Sequence, residues 1–263
     1  MQKYGQHFLV NKGIINKIVD TAVENLDGTL IEIGPGQGAL TLALIERGVQ
    51  NFTIIEIDPV MVKKLKETLP DWAGVKIIEG NFLDLDLQFL DKEDKLNFVS
   101  NLPYIDAAQI LLKVLELENF ASATFMFQRE QAQKLYALPE SKHYGALSVL
   151  FQALAQSRPV CRVSPGSFNP PPKVESEVLF ITPRPQKLFT NAAHYANFKE
   201  TVKTCFSYRR KTVLNALVEK FKKDKTALAK ILVSSGLKVS SRAEEVSAKN
   251  YVLLARNLEG FIF

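Results

Sequence analysis

Thr29-Leu30-Ile31-Glu32-Ile33-Gly34-Pro35-Gly36-Gln37-Gly38-Ala39 says more about the fold than any other part of the chain. A short, mostly apolar strand runs into glycines at alternate positions, and Leu40 to Arg47 then carries apolar residues at helical spacing. Strand, glycine turn, helix is how a nucleotide-binding sheet begins, because glycines permit the tight turn and let backbone approach a ligand. Upstream, Ile14, Ile15, Ile18, Val19, Ala22, Val23 and Leu26 mark an amphipathic helix. Downstream the unit repeats: Phe52 to Glu56 reads as a strand, and Asp58-Pro59 opens a helix with an acidic cap and proline at its first position. Val75 to Ile78, Leu96 to Val99 and Ala123 to Phe127 read as further strands, with a helix over Gln109 to Leu117 before the last. Alternating strands and helices predict an α/β fold with a parallel sheet covered on both faces, whose ligands sit at the carboxyl ends of the strands.

Beyond that sheet, Tyr144 to Ala155 is helical in pattern, and Pro159 to Val163 and Val174 to Thr182 are β-like. Between the two β-like runs, Phe168-Asn169-Pro170-Pro171-Pro172-Lys173 is a stiff extended loop, since consecutive prolines lock φ. Pro183-Arg184-Pro185 then punctuates the chain. Helical patterns follow over Tyr195 to Phe206, Lys211 to Lys222 and Thr226 to Ser234, with a last segment opened by the capping-box pattern Ser241-Arg242-Ala243-Glu244. This predicts two domains, 1–184 and 185–263, the second small and all-helical. Charge divides in nearly the same way: residues 1–180 hold 17 Lys+Arg against 22 Asp+Glu, and 181–263 hold 16 against 6. An acidic body with a basic end favours a polyanion, nucleic acid before an anionic membrane surface.

Composition excludes other classes. The chain is 46% hydrophobic and 23% charged, so it can bury a core and is not a disordered polyelectrolyte. Cys161 and Cys205 are too few for a disulfide scaffold, and His7, His143 and His194 offer no zinc spacing, so no metal is expected. No apolar leader and no run of apolar residues long enough to span a bilayer is present, which predicts a cytoplasmic protein without a membrane partner.

The glycine turn alone fits either NAD or S-adenosylmethionine, for Gly34, Gly36 and Ala39 satisfy the dinucleotide pattern and Glu56 stands where a ribose-binding acid is expected. Glu32 favours S-adenosylmethionine. It puts a carboxylate inside an apolar strand, where it needs partners: backbone donors of the glycine loop, or a water near the methionine ammonium. Asn101-Leu102-Pro103-Tyr104, at the end of the fourth strand, decides the matter. An adenine exocyclic amine is a poor nucleophile because its lone pair is delocalised, and acceptors placed on its hydrogens favour the pyramidal, reactive form. The Asn101 side-chain oxygen and the Leu102 carbonyl are suited to that task, with Pro103 fixing the turn and Tyr104 stacking on an extruded base.

With these residues the chain resembles the ribosomal RNA adenine N6-dimethyltransferases of the KsgA/RsmA type, relatives of the macrolide-resistance rRNA methylases. The resemblance is carried by Gly5 to Leu9, Glu32 to Gly38, Glu56-Ile57-Asp58, Asn101 to Tyr104, Phe125 to Glu130, Phe168 to Val174 and Arg209 to Thr212, in that order over nearly the whole length. It implies a Rossmann-like, class I S-adenosylmethionine-dependent sheet. It also implies transfer of methyl groups to N6 of two adjacent adenosines near the 3′ end of 16S rRNA, in the small subunit or its precursor, by a monomeric enzyme acting late in assembly. Residue by residue, His7 and Leu9 would close over the cofactor, Gly34 would approach its methionine part and Glu56 would hold its ribose hydroxyls. Asn81 stands where the family has an acid for the cofactor adenine and would accept its amine through the side-chain carbonyl, with Asp84 a less suitable substitute. Asn101 would bind the target amine, with Tyr104 and Phe168 on opposite faces of the base. Lys173, Arg209, Arg210 and Lys211 would touch phosphate. Ile105-Asp106-Ala107 departs from the family's asparagine-containing continuation. Three rivals stand beside this reading: a large-subunit methylase of the macrolide-resistance type, a non-catalytic RNA-binding assembly factor, and an NAD dehydrogenase.

Overall fold

The computed structural model describes residues 7–87, 95–186, 188–208 and 210–262. They form two compact units: residues up to Ala132 with Ser157–Pro183, and Gln133–Gln156 with the chain from Arg184 onward. The linear boundary at 184 does not draw this division, because Ala137, Tyr144, Val149 and Ala153 bury their side chains in one cluster with Phe198, Leu217 and Tyr251.

The first unit carries β1 (Phe8–Leu9), α1 (Lys12–Glu24), β2 (Thr29–Ile33), α2 (Ala39–Glu46), β3 (Thr53–Glu56), α3 (Pro59–Thr68), β4 (Lys76–Glu79), β5 (Leu96–Asn101), α4 (Ala107–Leu115) and β6 (Phe120–Gln128). After α5 (Arg129–Leu135) and α6 (Ala146–Leu154) come β7 (Ala155–Val163), β8 (Phe168–Asn169) and β9 (Ser176–Pro183). The sheet runs in the order β4-β3-β2-β5-β6-β9-β7. Its central strands are nearly continuous runs of buried Leu, Ile, Val and Phe, such as Ile31, Ile54, Phe98 and Val99, as strands covered on both faces must be. The five strands from β4 to β6 in that order are parallel, as the pattern predicts. The sheet is nevertheless mixed, because β9 joins β6 antiparallel, Ala123 opposite Ile181 and Gln128 opposite Ser176. Periodicity marks strands but carries no direction, so it does not separate this strand from the parallel set. The order reverses between β2 and β5, which places the turns that follow them side by side at the carboxyl edge, where sheets of this kind hold ligands.

The helices start where local chemistry places them. Asn11 accepts from the Ile14 amide to cap α1, and Asp58 accepts from the Val60 amide at 2.9 Å ahead of Pro59. In the second unit, α7 (Ala192–Ser207), α8 (Val213–Phe221), α9 (Lys225–Ser234) and α10 (Ala248–Asn257) enclose Phe198, Val202, Leu214, Leu228, Leu232 and Leu254. His194 is part of that core: its Nε2 pairs with the Val252 carbonyl at 2.9 Å. The expected capping box is displaced by one residue. The Arg242 amide donates to Glu245, closing a single 3-10 turn, and α10 begins later with Ser247 accepting from the Asn250 amide.

Candidate active site

The turn after β2 is built from glycines in left-handed backbone, with φ of 66° at Gly34, 56° at Gly36 and 85° at Gly38. Their surroundings differ. A Cβ on Gly36 would stand 3.1 Å from Phe8, and one on Gly38 would stand 2.9 Å from Leu65, whereas nothing lies within 4 Å of the Cβ position of Gly34. Gly34 therefore faces a cradle that a ligand can enter. Glu32 is 1% exposed and accepts from the Thr41 hydroxyl at 2.6 Å. Burial, with the nearby Glu56 charge adding to it and the Thr41 bond opposing it, pushes its pKa up to about 8. A buried acid held neutral beside an open glycine cradle is a group that a cation would ionise.

Glu56, also buried, ends β3 and takes two backbone amides, Gly36 on Oε2 and Asp58 on Oε1, each at 2.9 Å. It braces the glycine loop, and each oxygen keeps a second lone pair for a hydroxyl. Asn81 follows β4. Its Oδ1 accepts from the Leu83 amide at 3.1 Å and its Nδ2 donates to Asp84 at 2.8 Å, so the turn takes one lone pair of its carbonyl and leaves one.

Asn101 ends β5. Its Nδ2 donates to the His7 carbonyl at 3.2 Å, which fixes the amide and leaves Oδ1 with no donor among the described residues. Ser100, one residue earlier, bonds the Ile33 carbonyl and ties β5 to the start of the glycine loop. Leu102 is buried and Pro103 exposed, with the Asp106 amide closing the turn on the Pro103 carbonyl. Tyr104 is partly open; its hydroxyl pairs with Ser176 at 2.8 Å and burial raises its pKa. The His7 ring lies 6.0 Å from the Tyr104 ring and bonds the Pro170 carbonyl through Nδ1 at 2.8 Å. Phe8–Leu9 pairs antiparallel with Phe168–Asn169, so a two-stranded ribbon covers the glycine loop.

Leu9 and Phe168 are not presented to a ligand here. Both are 4% exposed and stand in one apolar cluster with Val163 and Val178, because the ribbon turns them toward the sheet. Phe8, which lies against Gly36, is the ribbon residue on the loop. Lys173, Arg210 and Lys211 are exposed; Lys211 bonds Glu219 at 3.1 Å, and Arg209 lies outside the described residues. Sequence reasoning missed Thr41, one turn into α2, and Ile57, 43% exposed beside Glu56 as an apolar surface for a ring. It also missed Lys113, a single cation on the otherwise apolar pattern of α4. Among the described residues, no group of His, Cys, Asp or Glu could hold a metal ion, and no helix is long and apolar enough to cross a membrane.

Comparison with known proteins places this geometry. The family model for ribosomal RNA adenine dimethylase matches residues 1–259. Relatives include "Ribosomal RNA small subunit methyltransferase A" of Sulfurihydrogenibium sp., 34% identical over 95% of this chain and 93% of that protein. The protein of the same name in Alkaliphilus oremlandii is 36% identical over 97% and 90%. Among solved structures, a dimethyladenosine transferase from Plasmodium falciparum superposes with a TM-score of 0.79 at 24% identity, covering 96% of this chain and 97% of that one. The 23S rRNA methyltransferase ErmE gives 0.70 at 26% identity, covering 96% and 99%. The sheet is thus that of the Rossmann-like methyltransferases, and the chain belongs to the ribosomal RNA adenine dimethylase family.

Proposed function

We propose that this protein transfers methyl groups from S-adenosylmethionine to N6 of two adjacent adenosines near the 3′ end of 16S rRNA, in the small ribosomal subunit or its precursor, late in subunit assembly. The observation that carries the reading is the Asn101 amide: anchored through its nitrogen to His7, it offers its oxygen at the carboxyl edge beside the glycine turn. The names of the relatives support the small-subunit target over the large-subunit one.

The residues present fit the cofactor. Gly34 leaves room for its methionine part, Glu32 and Thr41 meet its ammonium, Glu56 has lone pairs for ribose hydroxyls, and Ile57 offers a face to its adenine. When bound, S-adenosylmethionine supplies a methyl group on a sulfonium, a good leaving group. The chain does the rest by placement. Asn101 Oδ1 and the Leu102 carbonyl accept the hydrogens of the target amine, concentrating its lone pair on nitrogen. Pro103 holds the turn, and Tyr104, fixed by Ser176, stacks on the base. No strong general base is needed, because the amine sheds its proton after attack. Lys173, Arg209, Arg210 and Lys211 meet RNA phosphate, Lys211 at the expense of its bond to Glu219. The enzyme acts as a cytoplasmic monomer.

The test is incubation with radiolabelled cofactor and small subunits from cells lacking this protein. Label is expected in two neighbouring adenosines of 16S rRNA. Absence of labelled adenosine with folded protein, or label in isolated large-subunit RNA instead, overturns the proposal.

A further inference from the structure

The turn after β4 is held from two sides. From within, the Asn81 carbonyl accepts from the Asp84 and Leu85 amides while its side chain takes the Leu83 amide. From outside, the Lys113 ammonium on α4 donates to the carbonyls of Phe82, Leu83 and Leu85 at 2.8, 2.8 and 2.6 Å. An ammonium has three protons, and all are spent on this turn. Lys113 also lies over the Phe82 ring at 5.4 Å, and Phe82, 3% exposed, meets Phe98 edge-on at the sheet. Burial lowers the Lys113 pKa, against the raising influence of Asp84 and Asp86.

The turn stands in line with the cofactor residues. The Gly80 amide bonds the Glu56 carbonyl at 2.8 Å, and Glu56 in turn holds Gly36. Strands lie about 4.8 Å apart, so the step from β2 across β3 to β4 covers about 10 Å, the reach of a nucleoside. A ligand with its amino-acid end at Gly34 and its ribose at Glu56 therefore brings its base to this turn. There Asn81 Oδ1 already has one lone pair taken by the Leu83 amide, whereas Asp84 is exposed and its Oδ1 takes no hydrogen bond among the described residues.

We propose that Lys113 is a positioning residue for the cofactor adenine, and that the acceptor it holds out is the Asp84 carboxylate, oriented by Asn81. This rests on the S-adenosylmethionine reading above. The exocyclic amine of adenine donates to the free carboxylate oxygen. A base with a carbonyl at that position, as in hypoxanthine, faces the same oxygen acceptor to acceptor and is rejected.

The test is calorimetric titration of the full chain with S-adenosylhomocysteine and S-inosylhomocysteine. Wild-type protein is expected to prefer the adenine compound at least tenfold. Asp84→Asn, whose amide both donates and accepts, narrows the preference to within threefold. Lys113→Met weakens the adenine compound about tenfold while leaving the hypoxanthine one within threefold of wild type. Lys113→Arg carries the same comparison if the Met variant does not fold, since a planar guanidinium cannot meet three converging carbonyls as an ammonium does. An unchanged preference in Asp84→Asn overturns the acceptor, and equal weakening of both ligands by the Lys113 variants overturns the positioning role. Wild type binding both ligands equally overturns this inference and leaves the cofactor reading standing; wild type binding neither overturns both.

Discussion

Replacing Glu32 by Gln separates burial from charge at the heart of the proposed cofactor site. Wild-type Glu32, with a pKa of about 8, is protonated in the free protein at pH 6 and must ionise to meet an ammonium. Cofactor binding then releases a proton, and affinity rises with pH up to the folded pKa. Each pH unit is worth about 1.4 kcal/mol, so from about pH 6 to about 7.5 the gain is about 2 kcal/mol, or roughly 30-fold in Kd. The range stops there because an α-amino group titrates near about 8 and begins to oppose the trend. The Glu32→Gln side chain has nothing to ionise, so the slope vanishes and binding at pH 7.5 is the weaker. Calorimetry at pH 6.5 in two buffers of different ionisation enthalpy counts the proton directly: close to one released per ligand in wild type, none in Glu32→Gln. A flat wild-type profile without proton release, or a slope that survives in the variant, would show that Glu32 does not meet the ammonium as an ion. Stability of the free protein runs the other way. The folded pKa lies above the ordinary carboxylate value of 4.5, so between pH 4.5 and 8 the folded state holds the extra proton and loses stability relative to Glu32→Gln as pH rises.

Other predictions use the same structure. Asn101→Ala removes the acceptor aimed at the target amine, so single-turnover methyl transfer should fall about 10²-fold or more, while titration shows cofactor Kd within about threefold of wild type. Gly34→Ala adds a methyl to the open cradle and puts a side chain at φ 66°. Its backbone strain of about 1–2 kcal/mol should lower Tm by a few degrees in a thermal melt, and cofactor binding should be lost out of proportion. Arg210→Ala should reduce the slope of log affinity against log salt by about one phosphate contact in filter binding. Lys211→Ala should change that slope less, because its ammonium is already paired with Glu219.

The sheet was legible because its signal is local: apolar runs for β2, β3 and β5, glycines where left-handed backbone is required, Asp58-Pro59 where α3 starts. What escaped depends on partners far away in the chain. The antiparallel course of β9 is decided by its neighbour β6, and the grouping of Gln133–Gln156 with the C-terminal helices by a shared apolar core. The site divides in the same way. Glu32, Gly34, Glu56 and Asn101 stand out because each breaks the local pattern of its strand or turn. Phe168 reads as an open aromatic until its pairing with Leu9 turns it inward, and Lys113 reads as surface charge until the turn it closes is in place.

The ribbon of Phe8–Leu9 and Phe168–Asn169 imposes an order in time. His7 is made early yet finds its partner at Pro170 only after 163 further residues have been synthesised, and the Asn101 amide waits with it. A nascent chain that has completed β6 already displays the glycine turn and Asn101-Leu102-Pro103-Tyr104, but lacks the strap that fixes the amide and covers the loop. An enzyme whose substrate belongs to the translation machinery thus keeps the amide proposed for its chemistry unset while most of its first unit is emerging beside that machinery.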